Sequence, residues 1–296
     1  MIDIKLLRYL VAHPLNRQAR LRSLLNILRW RIATRMLPQA QFIIPFANDA
    51  RLVVTSGRWG SEANALCGLH EFSDMSFLLH FLRPTDLFCD IGANIGAYTV
   101  LASAAAGARS LAFEPIEASY AELRKNIAVN GVEELADARR MGLGKALGKL
   151  TLTSQYDTMN RVVVGDTTEP SETVEVDTLD HMLAGLTPAL MKIDVEGWEH
   201  EVFEGAPMTL RDPGLLAVIV ELNQSGIRYG FSDADIHRTL MNNGFSSFRY
   251  KPFERQLIDL DGKYNASGNT LYVRNYESVA DRLRSAPAFT VRNFHI

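Results

Sequence analysis

Two cysteines in 296 residues, Cys67 and Cys89, are too few to staple a fold, so they are expected as buried thiols in a reducing compartment. No run approaches the ~20 apolar residues that span a bilayer. The N-terminal region has no apolar stretch of signal length either, because arginines interrupt residues 17–35 every few positions. The cytoplasm is therefore the expected compartment. Internal repeats and low-complexity segments are absent. Acid is almost missing from the first 40 residues. Asp3 stands alone there against Lys5, Arg8, Arg17, Arg20, Arg22, Arg29, Arg31 and Arg35. The whole chain carries −3, so the remainder is strongly acidic. A basic head on an acidic body is expected to meet something anionic, or the body itself.

What is present suits a soluble enzyme-sized chain. Apolar residues make up 47% and charged residues 22%, a usual globular balance. The chain is long enough to bury a core of its own. Four regions are expected: a basic helical arm over 1–40, a β/helical lead-in over 41–85 covering the substrate side, a core over 86–275, and a helix and tail over 276–296.

Residues 1–37 read as one helix, with Leu21, Leu24, Leu25, Leu28 and Ile32 at helical spacing and Pro38 as its stop. Residues 41–55 read as two short strands, and 70–82 as a helix stopped by Pro84. Strands and helices then alternate. Strands are expected over 87–92, 110–115, 136–143, 190–195, 215–222, 247–250 and 270–275, with 149–154 and 161–165 as a hairpin. Helices fall over 97–106, 117–131 and 233–244, with shorter turns between. Short apolar strands alternating with helices imply an α/β fold, a mostly parallel sheet covered on both faces. Ligands then sit at the carboxyl ends of the strands, where strand order reverses.

The first such end reads DIGANIG, residues 90–96. Gly92 and Gly96 permit a tight turn and close backbone approach. A dinucleotide loop would use a middle glycine and a helix N-terminus for pyrophosphate. Here Asn94 stands in that place, and Asp90 adds a charge that repels pyrophosphate. The same carboxylate suits a ligand bearing an ammonium and a sulfonium, which points to S-adenosylmethionine ahead of NAD. Glu114 ends the second strand, where an acid takes hydrogen bonds from a ribose diol. Met141 and Gly142, ending the third, are the expected neighbours of an adenine.

Acids gather again at the ends of the fourth and fifth strands. Asp194 and Glu196 are two apart, as are Glu221 and Asn223, so each pair shares a face if the strand persists. Asp194, Glu196, Glu221 and Asn223 could together hold a hard cation such as Mg²⁺. Alternatively, a carboxylate of this group, Glu196 included, could act as base toward a substrate hydroxyl. Asp194 has a structural alternative as a helix cap. Glu199 and Glu201 are expected to be solvated. His200 lies four residues after Glu196, a spacing open to a metal pair or to a plain surface residue. His70 and Glu71, at the start of the 70–82 helix, are candidate catalytic residues covering the substrate side of the cofactor, with the helix dipole as the plainer reason for an acid at Glu71.

These motifs in this order, DIGANIGAYT, AFEP, LRKNIAVNG, VEVDTLD, MKIDVEGWEHEVFEGA and VIVELN, closely resemble the FkbM family of S-adenosylmethionine-dependent methyltransferases over about residues 65–275. The lead-in GLHEFSDMSFLLHFLRP is similar to that family's bacterial members. The resemblance implies a class I methyltransferase (Rossmann-like) fold, a seven-stranded sheet whose last strand is antiparallel. It implies methyl transfer to a hydroxyl of a sugar, glycan or natural product. It places Asp90, Gly92, Asn94 and Gly96 at the methionine end of the cofactor, Glu114 at the ribose, and Asp194, Glu196 and Gly197 near the substrate. The family's third-strand segment, Ala-Leu-Ser-Asp, is Gly142, Leu143, Gly144 and Lys145 here, so the resemblance does not carry over the adenine contacts. The arm lies outside the resemblance. Other readings are N-methylation of a small molecule or peptide, a dehydrogenase, and a membrane-surface protein with a vestigial core. No nucleic-acid partner is expected. The arm is expected to pack on its own acidic body, to join a homodimer, or to touch a membrane or a lipid-linked substrate.

Overall fold

The computed structural model describes residues 4–38 and 40–296; residues 1–3 and 39 of the expected arm lie outside the described residues. The central sheet has eight strands: β1 (Leu87–Ile91), β2 (Arg109–Phe113), β3 (Ala136–Arg139), β4 (Leu190–Ile193), β5 (Ala217–Leu222), β6 (Ser246–Lys251), β7 (Gln256–Asp259) and β8 (Gly268–Val273). Their spatial order is β7-β6-β8-β5-β4-β1-β2-β3. The five from β5 to β3 run parallel, and β8 lies antiparallel between β5 and β6. Order reverses between β1 and β4, and this is the switch point where a ligand crevice opens. The sheet therefore has one strand more than the expected seven. The addition is β7, four residues of mixed polarity that pair with β6 at the sheet edge. A strand that short shows no alternation long enough to read.

Strand alternation decides what meets what. Phe88 of β1, Leu190 of β4, Ala217 and Ile219 of β5 and Leu271 of β8 pack on one side with Phe77, Phe81 and Leu101. Cys89, Ile91, Met191, Ile193, Val218 and Val220 pack on the other with Val202, Phe203 and Leu240. By the period of two, Asp90, Lys192, Glu221 and Asn269 all project on the first side. Register completes the set: Asp90 pairs with Lys192, and Glu221 with Asn269.

Three further readings need correction. The expected third strand splits at Arg140: Ala136–Arg139 completes the central sheet, whereas Gly142–Leu143 joins a three-stranded side sheet. In that sheet Gly148–Thr153 pairs along its length with Ser171–Asp177. The expected hairpin partner, 161–165, keeps only one bridge, Leu152 to Val162. Residues between become a loop with a short turn at Asp157–Met159. The arm is three helices rather than one: Ile4–Ala12, Pro14–Gln18 and Arg20–Met36. Pro14 forces His13 out of helical geometry, to ψ 135°, and Ala19 breaks the chain again at φ −139°.

The hairpin of Gln41–Pro45 and Arg51–Thr55 packs on the helix Glu117–Asn130, where Asn126 Oδ1 accepts the Val53 N–H at 2.6 Å. It stands away from the cavity described below. The helices Trp59–Cys67 and Phe72–Phe81 are the part of the lead-in that borders it. The C-terminal helix Tyr276–Ser285 is followed by a tail tied to the arm by Arg292, which donates to Asn16 Oδ1 and to the Ala65 carbonyl. Both cysteines are buried and unpaired. Among the described residues no helix is long and apolar enough to cross a membrane.

Candidate active site

A cavity of about 270 Å³ opens at the carboxyl ends of β1, β2, β4 and β5. Of the expected site residues, His70, Glu71, Asp90, Gly92, Asn94, Glu114, Met141, Gly142, Asp194, Glu196 and Glu221 all line it. Gly96 and Asn223 do not.

The loop after β1 is shaped by contact. Gly92 has φ +79°, and a Cβ there would lie 1.9 Å from the Asp194 carbonyl oxygen. Only glycine lets the first and fourth strand ends come this close. Gly96 has another role. A Cβ on it would meet Leu123 Cδ1 at 2.3 Å, so it seats the loop on the helix Glu117–Asn130 and touches no cavity. Asn94 sits in left-handed geometry at φ 51°, and its side chain accepts the Ile95 N–H at 2.7 Å. Its own N–H donates to Glu114 Oε2 at 2.8 Å, and Glu114 Oε1 accepts the Ile116 N–H at 2.9 Å. Burial raises the Glu114 carboxyl to about 7, against the pull of these two N–H groups.

One end of the cavity is apolar: Ile116, Met141, Leu143, Leu150, Leu152, Val162 and Trp198. The Trp198 indole N–H is buried there with no partner, while its ring meets Tyr229 edge-on at 5.1 Å.

The other end is acid around one buried cation. Lys192 is 4% exposed; its Nζ donates to Asp194 Oδ2 at 2.7 Å and lies 4.8 Å from the Tyr98 ring centre. Burial works to lower its pKa, but Asp194, Glu71 and Asp90 together drive it above the ordinary lysine value. Asp90 accepts the Thr99 hydroxyl at 2.6 Å. Burial pushes its carboxyl up to about 6, with Lys192 opposing. Glu71 accepts the Tyr98 hydroxyl at 2.8 Å and the Asn269 amide at 2.6 Å. Asn269 donates also to Asp74. Burial and then Glu71 raise the Asp74 carboxyl to about 7.

Carboxylate oxygens of Asp194, Glu196 and Glu221 come within 4.8 Å of one another. Glu196 is held at φ +56°, a left-handed conformation that costs a non-glycine residue roughly 1–2 kcal/mol. Burial, then Asp194, lifts its carboxyl to about 7. Glu221 goes furthest, to about 9, through burial and then repulsion by Asp194 and Glu196. Its Oε2 is buried without a hydrogen-bond partner.

Several expectations fail here. Asn223 is exposed and its side chain accepts the Ser225 N–H at 2.9 Å, which turns it into the loop and away from Asp194, Glu196 and Glu221. The structural alternative for Asp194 falls away, not its expected place in the site: it caps no helix, since the next one, Glu199–Glu204, has Trp198 at its N-cap. Glu199 and Glu201 are buried, not solvated. Glu199 Oε1 accepts the N–H groups of Val195 and Gly197 and so braces the turn that carries Glu196. Glu201 pairs with Lys145. The His200 ring stacks on Phe231 at 4.3 Å and joins no metal-ligand group among the described residues. His70 Nδ1 lies 2.8 Å from the Tyr9 hydroxyl of the arm, and burial lowers its pKa.

Sequence reasoning passed over Lys192, Tyr98, Asn269, Asp74 and Trp198. Lys192 carried a signal, a lysine inside the apolar run LMKIDV. Gly60 was also missed. A Cβ on it would lie 2.6 Å from the Thr158 side chain, so the Asp157–Met159 turn closes against the start of the helix Trp59–Cys67.

The methyltransferase FkbM domain matches residues 90–249, more than half of the chain. No curated protein matches the sequence. Among solved structures, a methyltransferase FkbM from Methylobacillus flagellatus KT is 14% identical, with a TM-score of 0.44, over 71% of this chain and 52% of that one. The chain thus spans about half the length of that protein. An rRNA methylase from Streptococcus thermophilus is 14% identical, with a TM-score of 0.41, over 68% of this chain and 93% of that one. A tRNA m1G37 methyltransferase from M. jannaschii is 12% identical, with a TM-score of 0.43, over 80% and 56%. At such scores these likenesses carry no argument about substrate.

Proposed function

Because this chain belongs to the FkbM methyltransferase family, we propose that it transfers a methyl group from S-adenosylmethionine to a hydroxyl oxygen of a small molecule or glycan. The observation that carries this reading is the acid end of the cavity, where five lining carboxyl groups (Glu71, Asp90, Asp194, Glu196 and Glu221) surround Lys192, and Asp74 shares Asn269 with Glu71. That excess suits a cationic ligand and repels a pyrophosphate, which argues against NAD. The apolar end suits an adenine, with Trp198 offering an unused donor. Glu114 and the loop Gly92–Asn94 stand between the two ends, where a ribose would lie.

When bound, S-adenosylmethionine supplies a methyl carbon already activated by its sulfonium and departs as a neutral thioether. The protein's part is alignment, exclusion of water and proton removal; orientation alone can contribute ~7–11 kcal/mol. As the oxygen–methyl bond forms and the methyl–sulfur bond breaks, the hydroxyl proton passes to the Glu221 carboxylate. A carboxylate of raised pKa is the stronger base, and a neighbouring positive charge favours its ionised form. Lys192 fixes Asp194, while Tyr98 and Asn269 fix Glu71. A hydroxyl holds its proton until the moment of attack and gains from a base poised there, so the arrangement is read as favouring an oxygen.

A second reading places a divalent cation such as Mg²⁺ among Asp194, Glu196 and Glu221, whose oxygens lie within 4.8 Å of one another. The Lys192 ammonium on Asp194 and the outward turn of Asn223 count against it. Turnover that survives exhaustive chelation would decide for the base.

Calorimetric titration tests the cofactor assignment. Asp90, Glu196 and Glu221 ionise at about 6, 7 and 9. As pH rises from 6 to 9 a sulfonium should gain affinity at least tenfold over the thioether S-adenosylhomocysteine. Parallel pH profiles for the two ligands would overturn the reading. Methyl transfer to a panel of hydroxylated and amino acceptors tests the oxygen preference.

A further inference from the structure

The long helix of the arm, Arg20–Met36, is mounted with its apolar stripe outward. Its inner side is anchored. Ile27 is buried with Leu10, Leu66 and Cys67, and Trp30 meets Phe42 edge-on at 5.2 Å. Leu21, Leu24, Leu25, Leu28, Ile32 and Met36 are exposed, from 45% at Leu24 to 81% at Leu21. At about 100° per residue these six fall in a stripe roughly 120° wide. Exposed arginines flank it, Arg22 and Arg29 along one edge and Arg20 and Arg31 along the other, while Arg35 falls within its width near the C-terminal end. No acid occurs between Ile4 and Asn48, and none of the five arginines joins an ion pair of the described residues. Beneath the helix lies a cleft of about 450 Å³, bordered by Arg22, Arg29 and Arg292 beside Leu25, Ile44 and Phe294.

We propose that this helix lies flat on an anionic phospholipid surface, with its leucine stripe among the acyl chains and its arginines on the phosphates. A 17-residue helix with five arginines is too short and too charged to span a bilayer. An apolar stripe between two cationic borders is instead the pattern of an interfacial helix. Charge decides between the two candidate occupants. A second copy docked by the same stripe about a two-fold axis would bring both sets of arginines together with no acid from either arm. An anionic bilayer neutralises all of them. The inner helices tie the docked arm to the cavity wall, because the Tyr9 hydroxyl bonds His70. The active site would therefore ride at the membrane surface. The inference does not depend on the methyl-transfer reading, since vesicle binding requires no catalysis.

The test is co-sedimentation of the full chain with phosphatidylcholine vesicles, with and without phosphatidylglycerol, at low and high salt. An arginine near such a surface is worth on the order of fivefold in partitioning, so phosphatidylglycerol should raise binding at least a hundredfold, and salt should reverse most of the gain. Leu21→Glu with Leu28→Glu should cut binding to anionic vesicles at least tenfold. Arg31→Gln with Arg35→Gln should do likewise and flatten the salt dependence. These side chains are exposed, so both variants should melt at the wild-type temperature and bind S-adenosylhomocysteine unchanged. Equal binding to both vesicle types would overturn the proposal. Absence of vesicle binding, with a dimer in solution that the leucine variant dissociates, would also overturn it and assign the stripe to a second copy.

Discussion

Replacing Glu221 by glutamine should stabilise the protein and silence it. The Glu221 carboxyl ordinarily titrates at 4.5 and is raised to about 9 in the fold, by burial first and then by Asp194 and Glu196. A raised acid pKa means that the folded state holds a proton which the unfolded chain has released. Its contribution is therefore fully present below pH 4.5 and is lost progressively as pH climbs to about 9. At about 1.4 kcal/mol per pH unit, roughly three units of separation at pH 7.5 set an upper bound of ~4 kcal/mol. Asp194 and Glu196 share the repulsion and relax when one member is gone, so about half of that, ~2 kcal/mol, is the expected gain of the variant. An unfolding entropy of about 2.1 cal/mol/K per residue gives roughly 0.6 kcal/mol/K for a chain of this length, hence a rise of about 3 °C in Tm. The assay is a pair of thermal melts. At pH 8 the variant should melt a few degrees above wild type, and at pH 5 the two should nearly coincide. Turnover should meanwhile fall by about 10²–10⁴ with S-adenosylhomocysteine still bound. A variant less stable than wild type at pH 8, or one that keeps its turnover, would refute the reasoning.

Two further substitutions separate close contact from conformation and test the buried cation. Gly92→Ala drives a methyl into the Asp194 carbonyl and should lower S-adenosylhomocysteine affinity at least a hundredfold by calorimetry. Gly131→Ala shares a positive φ but has nothing within 4 Å, so it should cost only ~1 kcal/mol and bind normally; equal loss in both would contradict the contact argument. Lys192→Met leaves Asp194 without its partner. Breaking such a pair typically costs about 3 kcal/mol, a Tm drop near 5 °C by scanning calorimetry, and a drop under 1 °C would show the pair to be dispensable.

Much of the site was legible because parallel sheets deliver their strand ends to one edge. Asp90, Glu114, Asp194 and Glu221 interrupt apolar strands at those ends, and the fold brings all four to the cavity. The partners that hold them were less legible. Glu71 and Asn269 are 198 residues apart in sequence, and no local pattern announces such a pair. Glu199 misleads because acids at a helix start usually face water, whereas this one turns inward to brace the Val195–Gly197 turn. Gly92 and Gly96 read alike in the loop, yet one abuts a strand end and the other a helix. Asn223 had the spacing to share a face with Glu221, but β5 ends at Leu222, so the period of two no longer applies one residue later.

The chain's own pattern determined the alternation of strands and helices, the glycine turn after β1 and the acids that end β1, β2, β4 and β5. These follow from local stereochemistry and periodicity, which act within a few residues. Only the tertiary structure decided that a buried lysine balances those acids, that a 154–160 loop closes one wall, and that the leucines of the arm look outward. Periodicity states which residues share a face. Whether that face turns inward depends on what distant segments offer to cover it. Here the arm buries Ile27 against Leu66 and Cys67, and its larger apolar face is left on the surface.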